Sequence, residues 1–338
     1  MKNTATIADV HRRPLQDLRI SVTDRCNFRC SYCMPKDVFG PGYKFLPKAE
    51  LLTFEEILRL ARIFTALGIR KIRLTGGEPL LRQELEKLIQ MLAQIPDLEL
   101  AITTNGSLLA HKAQALKDAG LNRITISLDS LEDDVFKTMN DVGFPVAKIL
   151  EGIRTAERVG FTPIKINMVV KRGVNDHTIT QMARYFRNTP HIVRFIEYMD
   201  VGSTNGWQLD EVVPAKEIIQ MIHAELPITP VNPNYRGEVA KRWRYLDGGG
   251  EIGIIASVTQ PFCGDCTRAR LSARGQLFTC LFGVAGSDLL KPLRDGATDQ
   301  DIAAQLKMIW TARTDRYSEI RTEHTPPGTK VEMSYIGG

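Results

Sequence analysis

Residues 18 to 35 read LRISVTDRCNFRCSYCMP, and two patterns meet in them. In the first six residues, apolar Leu18, Ile20 and Val22 alternate with polar Arg19, Ser21 and Thr23. The remainder sets Cys26, Cys30 and Cys33 in CxxxCxxC spacing, half of the six cysteines in the chain. Successive side chains of a strand point to opposite faces. The stretch therefore predicts a strand with one apolar and one polar face, delivering three thiols at its carboxyl end.

The same alternation returns downstream. Ile72 and Leu74 alternate with Lys71, Arg73 and Thr75; Ile124, Ile126 and Leu128 with Thr125, Ser127 and Asp129; Ile164 and Ile166 with Lys165 and Asn167. Strands are expected at 18–23, 69–75, 98–104, 124–129, 164–170 and 193–200. Segments between them, such as TFEEILRLARIFTALG and QELEKLIQMLAQ, repeat apolar residues three and four apart, the period of an amphipathic helix. Six such units predict a parallel sheet, because parallel neighbours need crossover helices.

Parallel strands covered on both faces are usually apolar throughout, and a closed barrel fills its interior with branched apolar side chains. A sheet edge with one wet face explains one alternating strand but not four. The fold expected is α/β: a partial, open (β/α)6 TIM-like barrel around a polar ligand, with Arg19, Lys71, Arg73 and Lys165 on its inner face. After residue 226 the texture changes. VNPNYRGEVAKRWRYLDGGGEIGIIASVTQ reads as antiparallel hairpin material turning at Gly248 to Gly250, and helices are expected at 288–294 and 299–311 before a polar tail. The expected division is a barrel over 1–226 and, over 227–338, an antiparallel β plus helical extension that binds a cluster, covers the barrel mouth and ends in two glycines.

The chain has 338 residues, 43% hydrophobic and 25% charged, the balance of a folded globular protein. Its net charge of +5 comes from 44 basic and 39 acidic side chains, too even a mixture to imply a nucleic-acid surface. The first residues, MKNTATIADVHRRPLQ, lack the apolar run of a signal peptide, and no membrane-spanning stretch is expected. A cytoplasmic location is expected, where clustered cysteines more often bind metal or do redox chemistry than form disulfides.

The other three cysteines, Cys263, Cys266 and Cys280, form CxxC, thirteen residues, then C. A structural zinc site takes four Cys or His ligands. The nearest histidines are His11 and His111 around the first set, His223 and His324 around the second. Three thiolates on a four-iron cluster leave one iron open to a small molecule. The spacing also allows a zinc site drawing on both sets, or plain core thiols.

CNFRCSYC resembles the cysteine loop of radical S-adenosylmethionine enzymes, and LTGGEP at 74–79 resembles the motif with which that superfamily holds the methionine end of its cofactor. Glycines there allow close backbone approach to a ligand at the strand ends. With KIRLTGGEPLLR, TTNG, SLDSL, RFIEYM, CTRARLSARGQLFTCLFG and the terminal SYIGG, nearly the whole chain resembles the GTP 3',8-cyclase family of molybdenum cofactor biosynthesis, a lyase family.

The resemblance implies two 4Fe-4S clusters, on Cys26, Cys30 and Cys33 and on Cys263, Cys266 and Cys280. It implies S-adenosylmethionine at Tyr32, Gly76, Gly77, Glu78, Ser127 and Met199, and GTP at Arg19, Lys71, Arg73, Thr104, Lys165, Arg268 and Arg270. Catalytic roles would fall to the first three cysteines with Arg268 and Arg270. The implied reaction takes the 3' hydrogen of GTP with a 5'-deoxyadenosyl radical and joins C3' to guanine C8. Implied partners are an electron donor such as flavodoxin or ferredoxin and a cyclic pyranopterin monophosphate synthase that receives the product; a homodimer is possible, and no nucleic acid or membrane partner is expected. Gly337 and Gly338 would enter the active site. The competing readings are a radical enzyme acting on a peptide, and a zinc-stabilised nucleic-acid module using Lys241, Arg242, Trp243, Arg244 and Tyr245.

Overall fold

A computed structural model describes residues 6–321 and 330–337. Its first six strands are β1 (Asp17–Ser21), β2 (Lys71–Thr75), β3 (Glu99–Thr104), β4 (Arg123–Ser127), β5 (Lys165–Val170) and β6 (Ile192–Glu197). They follow one another in the sheet, each parallel to the last. Helices form the crossovers. The one at Phe54–Ala66 starts where the sequence sets it: the Thr53 hydroxyl accepts from the Glu56 amide at 3.1 Å and the Glu56 carboxylate accepts from the Thr53 amide at 2.8 Å.

The alternation does what its period predicts. Leu18, Ile20, Ile72, Leu74, Ile124 and Ile166 are buried under the helices, while Arg19, Arg73 and Lys165 face inward and are only partly covered. Three of the strands, β1, β2 and β5, thus present cations to the concave side of the sheet.

The last third of the chain extends that wall at both edges. Helix Ala215–Glu225 ends, and β7 (Ile228–Val231), β8 (Lys241–Tyr245) and β9 (Glu251–Ile255) follow. The β8–β9 hairpin is antiparallel, but β9 also lies parallel to β6. Then β10 (Arg268–Leu271) lies parallel to β1, followed by β11 (Gln276–Phe278) and β12 (Ser287–Asp288), both antiparallel. Among the described residues the result is one open twelve-stranded sheet in the order β12-β11-β10-β1-β2-β3-β4-β5-β6-β9-β8-β7. Helices Leu290–Arg294 and Asp299–Thr311 pack outside it. Among the described residues no helix is long and apolar enough to cross a membrane.

Candidate active site

The loop after β1 carries the first three cysteines over the strand's carboxyl end. The Cys33 and Met34 amides both donate to the Cys30 carbonyl, at 2.9 and 2.8 Å, folding the loop into a turn. Arg29 fastens it: Nη1 donates to the Cys26 carbonyl at 2.8 Å and Nε to the Phe39 carbonyl at 2.7 Å. Phe28 anchors it among Phe136 and Phe144.

The GGE turn after β2 docks on this loop. The Gly77 amide donates to the Thr23 carbonyl at 2.9 Å and the Glu78 amide to the Arg25 carbonyl at 2.8 Å. A Cβ on Gly77 would lie 2.6 Å from the Arg25 carbonyl carbon and 3.0 Å from the Asp24 oxygen; Gly76, at φ +147°, is equally tight against Thr23. The close approach these glycines allow is to the cysteine loop's own backbone, in addition to the cavity that both glycines line.

Glu78 points away from that cavity. Its buried carboxylate accepts from Leu80 N at 2.9 Å, Thr104 Oγ1 at 2.7 Å and Asn105 N at 2.7 Å, and burial pushes its pKa up to about 7. The Thr104 hydroxyl proton is consequently spent on Glu78, although Thr104 itself lines the cavity.

A single cavity of about 320 Å³ is lined by all six cysteines and by Tyr32, Ser127 and Met199. Tyr32 is set by its hydroxyl, which donates to Asp129 Oδ2 at 2.8 Å, while Asp129 Oδ1 accepts from the Val169 amide at 2.9 Å. Burial raises the Asp129 pKa to about 6.

Cations form the facing wall. In register, Arg270 on β10 lies beside Arg19 on β1, which lies beside Arg73 on β2. Burial, followed by Arg270, Arg268 and Arg73, holds Arg19 well below the usual guanidinium range. Burial and then Arg268 bring Arg270 down to about 9. Arg73 donates to the Thr103 and Thr125 hydroxyls at 3.1 and 3.0 Å. Lys71 is already paired with Glu99 at 2.7 Å. Burial, then Arg194 and Lys71, lower Lys165 to about 7. Among the described residues neither Arg19 nor Lys165 has an ion-pair partner. A buried surplus of positive charge is costly unless an anion meets it.

Several residues of the wall were not singled out from the sequence. Arg194 on β6 bonds Asn167 Oδ1 at 2.9 Å and lines the cavity, with burial bringing its pKa down to about 9. It sits between apolar Val193 and Phe195, so the alternation that marks Arg19 marks it too. Asp129, the last polar residue of the alternation at 124–129, also lines the cavity, as do Asn105 and Arg313, whose sequence surroundings carry no comparable periodic signal.

The second cysteine set enters from the other flank of the sheet. Cys263 lies in a short turn at Cys263–Asp265, Cys266 follows that turn ahead of Thr267 and β10, and Cys280 comes shortly after β11. Burial works to raise the Cys266 thiol, but Arg268 and Arg313 outweigh it and bring the pKa to about 6. Burial pushes Cys26 and Cys280 up to about 11 and Cys30 and Cys33 also upward. Among the described residues no three Cys, His, Asp or Glu side chains converge on a single-ion site. Three sulfurs per set, with N–H donors at Cys26 and Cys266, fit iron-sulfur ligation, in which each thiolate binds a different iron.

The tail reaches the same wall. The Gly337 carbonyl accepts from Arg270 Nη1, and Met333 lines the cavity. Gly338 lies outside the described residues. The basic-aromatic stretch lies on β8, an inner strand, where Arg242 and Arg244 both pair with Glu251, at 2.7 and 3.2 Å.

Residues 20–186 match the Radical SAM superfamily and residues 191–319 match Molybdenum Cofactor Synthesis C. A GTP 3',8-cyclase of Acidothermus cellulolyticus is 54% identical over 361 aligned positions, covering 99% of this chain and all of the relative. One from Staphylococcus saprophyticus is 49% identical over 337 positions, covering 98% and 99%. Among solved structures, Streptococcus suis SuiB bound to S-adenosylmethionine shares the fold at a TM-score of 0.62 and 12% identity, covering 87% of this chain and 69% of that one.

Proposed function

The chain belongs to the GTP 3',8-cyclase family of the radical S-adenosylmethionine superfamily, and from that premise we propose how its cavity performs the reaction. The protein is a GTP 3',8-cyclase, the enzyme of the first step of molybdenum cofactor biosynthesis. The observation that carries the assignment of roles is the meeting of both cysteine sets and the cation row in one cavity.

Cys26, Cys30 and Cys33 would hold a 4Fe-4S cluster, with S-adenosylmethionine against Tyr32, Gly76, Gly77, Ser127 and Met199. Cys263, Cys266 and Cys280 would hold a second cluster near the guanine base. When bound, the first cluster and S-adenosylmethionine together supply a hydrogen-abstracting radical. The chain's own work is placement. Arg19, Arg73, Lys165, Arg194 and Arg270 form a cradle for the triphosphate, since guanidinium groups bind phosphate oxygens in forked pairs. Lys71 joins it only by sharing itself with Glu99. Arg268 lies between the cradle and the Cys266 sulfur, 3.4 Å from the latter, and so sits where the base and the phosphates would both be felt. Tyr32, locked by Asp129, walls the opposite side and keeps water from the cofactor. A flavodoxin or ferredoxin would deliver the electron, and a cyclic pyranopterin monophosphate synthase would take the product. A peptide substrate, the competing reading, leaves a row of cations without a counter-charge.

Anaerobic incubation with GTP, S-adenosylmethionine and a reductant should yield 5'-deoxyadenosine and a GTP-mass product. Arg73→Ala should lower kcat/KM for GTP by roughly tenfold to a hundredfold, about 1.5 to 3 kcal/mol for a charge-assisted bond. Unchanged turnover at subsaturating GTP would remove Arg73 from the cradle.

The cradle also predicts proton uptake. Free Lys165, at about 7, is only partly charged near neutrality, and a triphosphate raises its pKa. Below that value Lys165 is charged with or without ligand, so its contribution is complete. Affinity should fall as pH rises above it, by up to about tenfold per unit for one proton. Titration calorimetry in buffers of different ionisation enthalpy reads the uptake directly, and Lys165→Arg should abolish it while keeping the charge.

A further inference from the structure

The turn that carries the second cysteine set is gripped by arginines from both ends of the chain. Arg13 Nη1 donates to the Cys263 carbonyl and to the Asp315 carbonyl, each at 2.8 Å. Arg313 Nη1 donates to the Cys266 carbonyl at 2.8 Å, and its Nη2 points at the Cys266 sulfur at 3.3 Å. Trp310 lies under the Arg313 guanidinium at 4.6 Å, and its indole N–H donates to the Arg13 carbonyl at 3.1 Å.

One buried carboxylate serves both arginines. Asp9 Oδ2 lies 2.6 Å from Arg13 Nε and 3.5 Å from Arg313 Nη1. Asp315 adds a partly exposed second partner for Arg313, 3.2 Å from its Nε. Arg268 brings a second cation to the Cys266 sulfur at 3.4 Å. The Arg13, Asp9 and Arg313 side chains are at most 2% exposed, so solvent screens little of this charge.

The first set is built otherwise. Its Cys26 carbonyl is held by Arg29, but the donors on the Cys26 sulfur are the neutral Phe28 amide at 3.4 Å and the neutral Asn105 side chain at 3.8 Å. Charge and hydrogen bonds at the sulfurs set the reduction potential of an iron-sulfur cluster, with positive charge favouring the reduced form.

We propose that Arg313 is a positioning residue that holds Cys266 in ligating geometry and raises the potential of the second cluster, with Asp9 as the opposing charge. This rests on the two-cluster reading above. The two clusters of this protein are therefore electrostatically unequal, the second being the easier to reduce, and part of the inequality is built by Asp9 and Arg313, outside the triphosphate cradle.

The test is a potentiometric titration followed by electron paramagnetic resonance, with iron counted in each preparation. Arg313→Gln, fully loaded with iron, should shift the second cluster's one-electron equilibrium toward the oxidised form by roughly tenfold, about 59 mV. Arg313→Lys should recover part of the shift. Asp9→Asn should move the potential the opposite way, which a purely structural role would not do. Loss of second-cluster iron from Arg313→Gln but not from Arg313→Lys supports the holding role. Full iron with an unmoved potential in Arg313→Gln, or the same sign of shift in Asp9→Asn, overturns the proposal. A wild-type preparation with a single cluster would instead end the two-cluster reading.

Discussion

Gly77→Ala should cut turnover by about a hundredfold, the order that a misplacement of roughly 1 Å costs a reacting constellation. The new methyl group would overlap the Arg25 carbonyl, one residue before Cys26, and backbone on both sides leaves no flexible side chain to yield. Either the GGE turn separates from the loop, losing the 2.8 Å bond between the Glu78 amide and the Arg25 carbonyl, or the cysteine loop shifts and takes its thiols along. Both routes reach the first cluster, so iron content and 5'-deoxyadenosine formation should fall together. Gly42→Ala is the control, because a Cβ there has nothing within 4 Å. Normal iron loading and turnover in Gly77→Ala would contradict the packing described here.

Glu197→Ala should destabilise the fold by about 1 to 3 kcal/mol, the cost of leaving a buried hydrogen-bonding group unsatisfied. Glu197, at the end of β6, is fully buried. Its carboxylate accepts from the Ala215 amide at 2.7 Å, from the Val258 and Thr259 amides at 2.7 and 2.9 Å, and from the Thr259 hydroxyl. One side chain thus ties the last barrel strand to the helix at Ala215–Glu225 and to the segment after β9. Removing it leaves the buried Ala215 amide without its acceptor, at about 1 to 3 kcal/mol, whereas Val258 is half-buried and Thr259 exposed, so water meets their donors. Denaturant unfolding reads the loss, and a change under about 1 kcal/mol would show that the donors find other partners.

The barrel was legible because its period is local. The strand expected at 18–23 forms at Asp17–Ser21 and the one at 164–170 at Lys165–Val170, since alternating side chains fix which face is buried whatever the neighbour. The parallel pairing of β10 with β1 was not legible. It joins residues about 250 positions apart, and four letters, RARL, carry no mark of their partner. The cations on alternating strands could be read for the same reason as the strands.

Roles decided by tertiary partners could not be read. GGE announces a cofactor motif, yet the Glu78 side chain turns to Thr104 and Asn105. Arg313 follows a helix in an unremarkable WTART and acquires its place only when Asp9 and the cysteine turn pack against it.

The sheet order carries a consequence for how the molecule is made. Both β1 and β6 obtain their outer neighbours from residues beyond 250. A ribosome that has finished the six central strands has therefore released a sheet with two bare margins, each a row of unsatisfied amides and carbonyls able to recruit another nascent chain. Slow translation or early termination before residue 271 should yield aggregates instead of a smaller working enzyme, and the protein's dependence on chaperones should concentrate in that interval of its synthesis.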